Sequence, residues 1–60
     1  MADVDAIADK LKDYPQGLSA AAVFIAMNWP HDMCAKAIRI GLNRGLIVYD
    51  EAFNLRAANA

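Results

Sequence analysis

HDMCAKAIRIGLNRGLIVYDEAFNLRA, residues 31–57, decides the fold of this chain. Its two halves follow different periods. Stepping about 100° per residue from Cys34 brings Cys34, Ala37, Ile38, Gly41 and Leu42 within about 80° of one direction. Asp32, Lys36, Arg39 and Asn43 gather on the opposite side, at the i, i+4, i+7, i+11 spacing of a single helical face. The spacing predicts a helix over about 33–44, capped by Asp32 and ended by Gly45, with Met33 and Ile40 at its boundary. Its back is apolar, and its front bears two long cations and an amide. After Gly45 the pattern turns β-prone, in Leu46-Ile47-Val48-Tyr49 and again in the alternating Phe53-Asn54-Leu55-Arg56. Asp50-Glu51-Ala52 between them fits a short loop, so a hairpin is predicted over about 46–57. A loop of about two, three or four residues is possible, and each choice turns a different face inward. The last four residues, Ala57 to Ala60, are expected to fray.

Two further helices precede this stretch. Ser19 is a good N-cap for a helix over about 20–28, and Leu18 and Val23 suit a hydrophobic staple across its start. Ala20 to Met27 is wholly apolar, and a helix apolar all round is expected to be buried on most sides. Trp29-Pro30 stops it. Val4, Ile7, Ala8, Leu11 and Tyr14 recur at helical spacing and predict a first helix over about 4–13, with Asp3 as its N-cap. Pro15 ends that helix, and Pro15-Gln16-Gly17 reads as a turn.

Composition limits what such a chain can be. Sixty residues suffice for one small domain, and a multi-domain enzyme does not fit. Apolar residues make up 58% of the chain, but 13 of them are alanines, which let helices close together rather than fill a core. Modest stability is expected, helped by self-association or a partner. One Cys cannot build a disulfide framework, and eight contiguous apolar residues fall far short of the roughly 20 that span a bilayer. No basic start precedes that apolar run, so an untargeted, cytoplasmic protein with a reduced thiol is expected.

The net charge of −1 is a sum of unlike parts. Residues 1–13 carry four Asp and two Lys, whereas residues 31–45 hold Lys36, Arg39 and Arg44 against Asp32, with His31 beside them. An acidic total opposes strong non-specific nucleic-acid binding, yet a locally positive face permits it. Lys36, Arg39 and Asn43 are the vocabulary of major-groove readout, with cations reaching guanine and an amide reaching adenine. The same pattern also describes the solvated side of an ordinary amphipathic helix.

The order helix, helix, helix, hairpin resembles the winged helix-turn-helix family. The parts are GLSAAAVFIAMNW at 17–29, PHDMCAKAIRIGLNR at 30–44 and GLIVYDEAFNLRA at 45–57, and the resemblance covers about residues 4–57. It implies a mainly α fold with a small β-hairpin, and a third helix that enters the major groove of double-stranded DNA. It also implies that Lys36, Arg39 and Asn43 face DNA, that Asp32 sits at the entering end, and that Arg56 lies on the wing. Phosphate contacts would fall to Arg44, Lys36, His31 or Arg56. The wing tip carries Asp50 and Glu51, which repel phosphate.

Other constellations are poorer. His31 and Cys34 are half of a zinc site, with no second His or Cys to complete it, and they lack the orienting third group of a nucleophile pair. No metal, cofactor, small-molecule substrate or enzymatic activity is expected. Cys34 reads as core and His31 as a turn residue, while Asp3, Asp5, Asp9 and Asp13 read as a solvated face. Trp29 either closes the core or anchors a partner. Two functions stay open. One is a small DNA-binding regulator of phage or prokaryotic type, acting as one copy or as a homodimer. The other is a protein-binding module on the same fold, contacting a host protein through Trp29, Met33 and Ile40.

Overall fold

Three α-helices and a two-stranded antiparallel hairpin, in that order, form a winged-helix-like fold. The computed structural model describes residues 2–58. Helix α1 spans Ala2–Lys12, α2 Ala20–Met27 and α3 His31–Arg44; strand β1 is Ile47–Tyr49 and β2 is Leu55–Ala57.

Helix α1 buries Val4, Ile7 and Leu11 and leaves Asp5, Asp9 and Lys12 exposed, as its spacing requires. It begins earlier than expected, so Asp3 lies within its first turn rather than at its cap. There the carboxylate still faces the positive end of the helix dipole. Pro15 follows the last turn, which tightens through Tyr14 N–H to the Leu11 carbonyl at 3.0 Å.

The chain then turns at Gly17, whose φ is +87°. A Cβ there would lie 2.9 Å from Arg56 Cγ and 3.0 Å from the Leu55 carbonyl oxygen. Only glycine lets this turn lie so close to β2. Leu18 consequently pairs with Leu55 in an isolated antiparallel bridge, a feature that sequence periodicity does not reveal. The α1–α2 connection is thus hydrogen-bonded at Leu18 to the outer edge of β2.

Ser19 caps α2 as expected, its hydroxyl accepting from Ala22 N–H at 3.1 Å. Asn28 closes the helix in the left-handed region, with φ 54°. The expectation that α2 is buried on most sides does not hold. Val23 alone is fully buried, Phe24 and Met27 are half-buried, and Ile25 is 80% exposed. This eight-residue helix lies across the outside of the core, so only one side of it meets other elements.

Helix α3 starts two residues earlier than predicted, because Pro30 occupies the N-cap. Asp32 is therefore inside the first turn and makes no capping bond. Gly45 ends the helix at φ +73°, with its own N–H on the Leu42 carbonyl and Leu46 N–H on the Gly41 carbonyl. These are the paired bonds of a Schellman turn. Cys34, Ala37, Ile38 and Gly41 form the buried back.

The hairpin register pairs Ile47 with Ala57, Val48 with Arg56 and Tyr49 with Leu55. Ile47, Leu55 and Ala57 therefore face the helices, while Val48 and Arg56 face outward. The second strand starts at Leu55, not at Phe53 as the alternation suggested. Asp50 is the reason. Its carboxylate accepts from Ala52 N–H at 2.8 Å and Asn54 N–H at 3.0 Å, and its carbonyl accepts from Phe53 N–H at 3.0 Å. These bonds hold 51–53 as a three-residue tip, with Phe53 in the left-handed conformation at φ 61°. Ala57 and Ala58, expected to fray, are held: Ala57 is in β2, and Ala58 N–H donates to the Leu46 carbonyl at 3.0 Å. Asn59 and Ala60 lie outside the described residues.

The core is one cluster drawn from all five elements, with Val4, Ile7, Leu11, Val23, Cys34, Ile38, Ile47 and Leu55 among its members. No helix among the described residues is long and apolar enough to cross a membrane.

Candidate nucleic-acid interface

The exposed face of α3 carries Asp32, Lys36, Arg39 and Asn43, displayed because Cys34, Ala37, Ile38 and Gly41 bury the opposite side. Lys36 and Arg39 share a shallow surface depression with His31, Asp32 and Ala35. Arg39 and Asn43 also form the polar rim of a second groove, about 300 Å³, whose floor and walls include Phe24, Leu42 and Tyr49. His31, Lys36, Arg39 and Asn43 are thus brought onto one continuous surface. Arg44 is exposed in the last turn of the same helix, rotated to the flank of that surface.

Arg56 is not part of the cluster. It projects from the outer face of the hairpin opposite Val48, and its aliphatic stem lies against Gly17. Among the described residues, Lys36, Arg39, Arg44 and Arg56 enter no ion pair. Asp32 comes to 4.0 Å from the His31 ring, but both side chains are open to water, where such a pair contributes little. The His31 ring instead stacks on Phe24, with centroids 4.5 Å apart and planes tilted by 32°. That contact joins the start of α3 to α2.

The residues expected to contact a protein are placed differently. Trp29 is half-buried and packs against the core, as does Ile40. Met33 and Ile40 line the seam between α1 and α3 with Asp3 and Lys36. The exposed apolar surface lies elsewhere, at Phe53 (78% exposed), Tyr49 and Val48 on the hairpin and at Ile25 on α2. Phe53 and Tyr49 meet edge to face at 6.5 Å. The alternation that makes Phe53-Asn54 resemble a strand conceals this aromatic pair. The Asp at the start of the turn was the available signal, since Asp at that position bonds its own backbone two residues on.

Cys34 is completely buried, and burial pushes its thiol up, away from the reactive thiolate. Among the described residues no three His, Cys, Asp or Glu side chains come together as a metal would require. Comparison of the chain with protein-family models, with curated proteins and with solved structures returned no match.

Proposed function

We propose that this chain is a small DNA-binding regulatory protein that inserts α3 into the major groove. One observation carries the reading: Lys36, Arg39 and Asn43 stand exposed on one face of a helix whose back is fixed in the core, with both cations outside any ion pair among the described residues. Arg or Lys can donate to guanine O6 and N7, and Asn can pair with adenine N6 and N7. His31 and Arg44 flank that face and suit phosphate oxygens. Arg56 on the outer wing face supplies a separate phosphate contact.

The charge on that face limits the affinity. Each neutralised phosphate adds a slope of about −0.9 to log K against log salt, so about four engaged groups give a steep salt dependence and weak binding by one copy. The acidic α1 and the acidic wing tip add repulsion. The test is an amide-shift titration of the labelled chain with a random duplex at two salt concentrations. Shifts should cluster on Lys36, Arg39, Asn43 and Arg44, shrink as salt rises, and vanish when Lys36→Ala is combined with Arg39→Ala. Absence of shifts at low salt sinks the reading.

A protein-binding module on the same fold is the second reading. What favours it is the exposed aromatic pair Tyr49–Phe53 beside Asp50 and Glu51, a surface unsuited to phosphate.

A further inference from the structure

Phe53 occupies a backbone position that suits glycine. In a three-residue hairpin tip built on a type I turn, the last residue takes the left-handed conformation, which costs an L side chain steric strain. Here that residue is a phenylalanine, left-handed at φ 61° and 78% exposed. The ring lies outside the core cluster, and its aromatic partner is Tyr49, itself exposed on the same hairpin. An aromatic side chain held under strain and in water points to a contact made outside the fold.

The surface leading away from Phe53 says what that contact is. Phe53 touches Tyr49, and Tyr49 lines the groove that continues through Leu42 to Phe24. The result is an apolar strip running from the wing tip to α2. Its two ends carry opposite charge. Exposed Glu51 lies two residues from Phe53 in the tip, while exposed Arg39 rims the groove that Phe24 lines. Such a strip is complementary to itself: turned end for end about a two-fold axis, it sets acid against base at both ends and ring against groove between them. DNA does not fit the tip, because the exposed Glu51 carboxylate opposes phosphate.

We propose that the chain forms a two-fold homodimer in which Phe53 of each copy enters the Phe24–Leu42–Tyr49 groove of the other and Glu51 pairs with the other copy's Arg39. The contact is small, so the dimer belongs to the weak class of interfaces. The association does not depend on DNA binding, and mass in solution reads it directly.

The experiment is sedimentation equilibrium of the full chain from about 10 µM to about 1 mM, the range in which such weak contacts dissociate. The wild type should approach twice the chain mass at the upper end. Phe53→Gly should remain monomeric there while melting within a few degrees of the wild type, because relief of the left-handed backbone offsets the lost edge-to-face pair with Tyr49. Glu51→Arg and Arg39→Glu should each weaken association by about tenfold, and the two together should restore it. A wild type that stays monomeric overturns the proposal and leaves the strip to an unrelated protein. An association that survives Phe53→Gly, or a double reversal that fails to recover, overturns it equally.

Discussion

Gly41 is the residue at which α3 meets both α1 and the hairpin. A Cβ there would lie 3.0 Å from Ile47 Cγ1 and 3.3 Å from Val4 Cγ1, and both neighbours are fully buried. They have no solvent to retreat into. Gly41→Leu should therefore lower the unfolding free energy by about 2–3 kcal/mol in chemical denaturation. Gly41→Ala should cost less, since about 1 kcal/mol of helix preference offsets the crowding. A leucine variant as stable as the wild type would mean that α1 and β1 do not pack so closely on α3. The stripe alone does not reveal why position 41 is glycine, because its neighbours are far away along the chain and helical periodicity sees only its own helix. Cys34 illustrates the opposite case. Its position on the apolar stripe was enough to place it in the core, where it lies.

Among the elements, the helices were legible where one side of them is buried. α1 and α3 have clear polar and apolar faces, and the stripes Val4-Ile7-Leu11 and Cys34-Ala37-Ile38-Gly41 are the ones buried. α2 carries no such signal, because its composition is uniformly apolar and no face declares itself outward. Helix starts were harder, because several residues compete for the cap. Ser19 and Asp32 make the contrast testable. Ser19→Ala removes the bond to Ala22 N–H and should cost about 1 kcal/mol in urea or thermal unfolding. Asp32→Ala removes no capping bond and should cost clearly less. Equal losses at the two sites would contradict the Pro30 start of α3. The hairpin was legible as a hairpin, but its register depended on Asp50, whose side chain binds the backbone of its own loop. The Leu18–Leu55 bridge was not legible at all, because a single paired residue has no period.

At the scale of the whole molecule, the proposed DNA surface and the proposed dimer surface overlap at Arg39 and Asn43. A copy whose groove is filled cannot present those side chains to a base. Self-association and DNA binding are then alternatives, and raising the protein concentration should reduce the fraction of copies competent for DNA. The cationic face was readable from residue order, since all its members lie on one helix. The apolar strip was not, because it joins side chains from α2, α3 and the wing, which only the fold brings into line.

The hairpin is stitched to the rest of the chain on both flanks, by the Leu18 bridge on one side and the Gly45 turn on the other. α2 lies outside that stitching and is anchored through Val23 alone among fully buried side chains. Its cheapest excursion is therefore a local opening that leaves the remainder folded. In native-state hydrogen exchange, the α2 amides from Phe24 to Met27 should exchange well before those of Ile7 to Leu11 or Ala37 to Gly41. Uniform protection across all three helices would show instead that the chain opens as one unit. Because α2 carries Phe24, each such opening also widens the groove, so entry of any occupant is gated by the least protected helix of the fold.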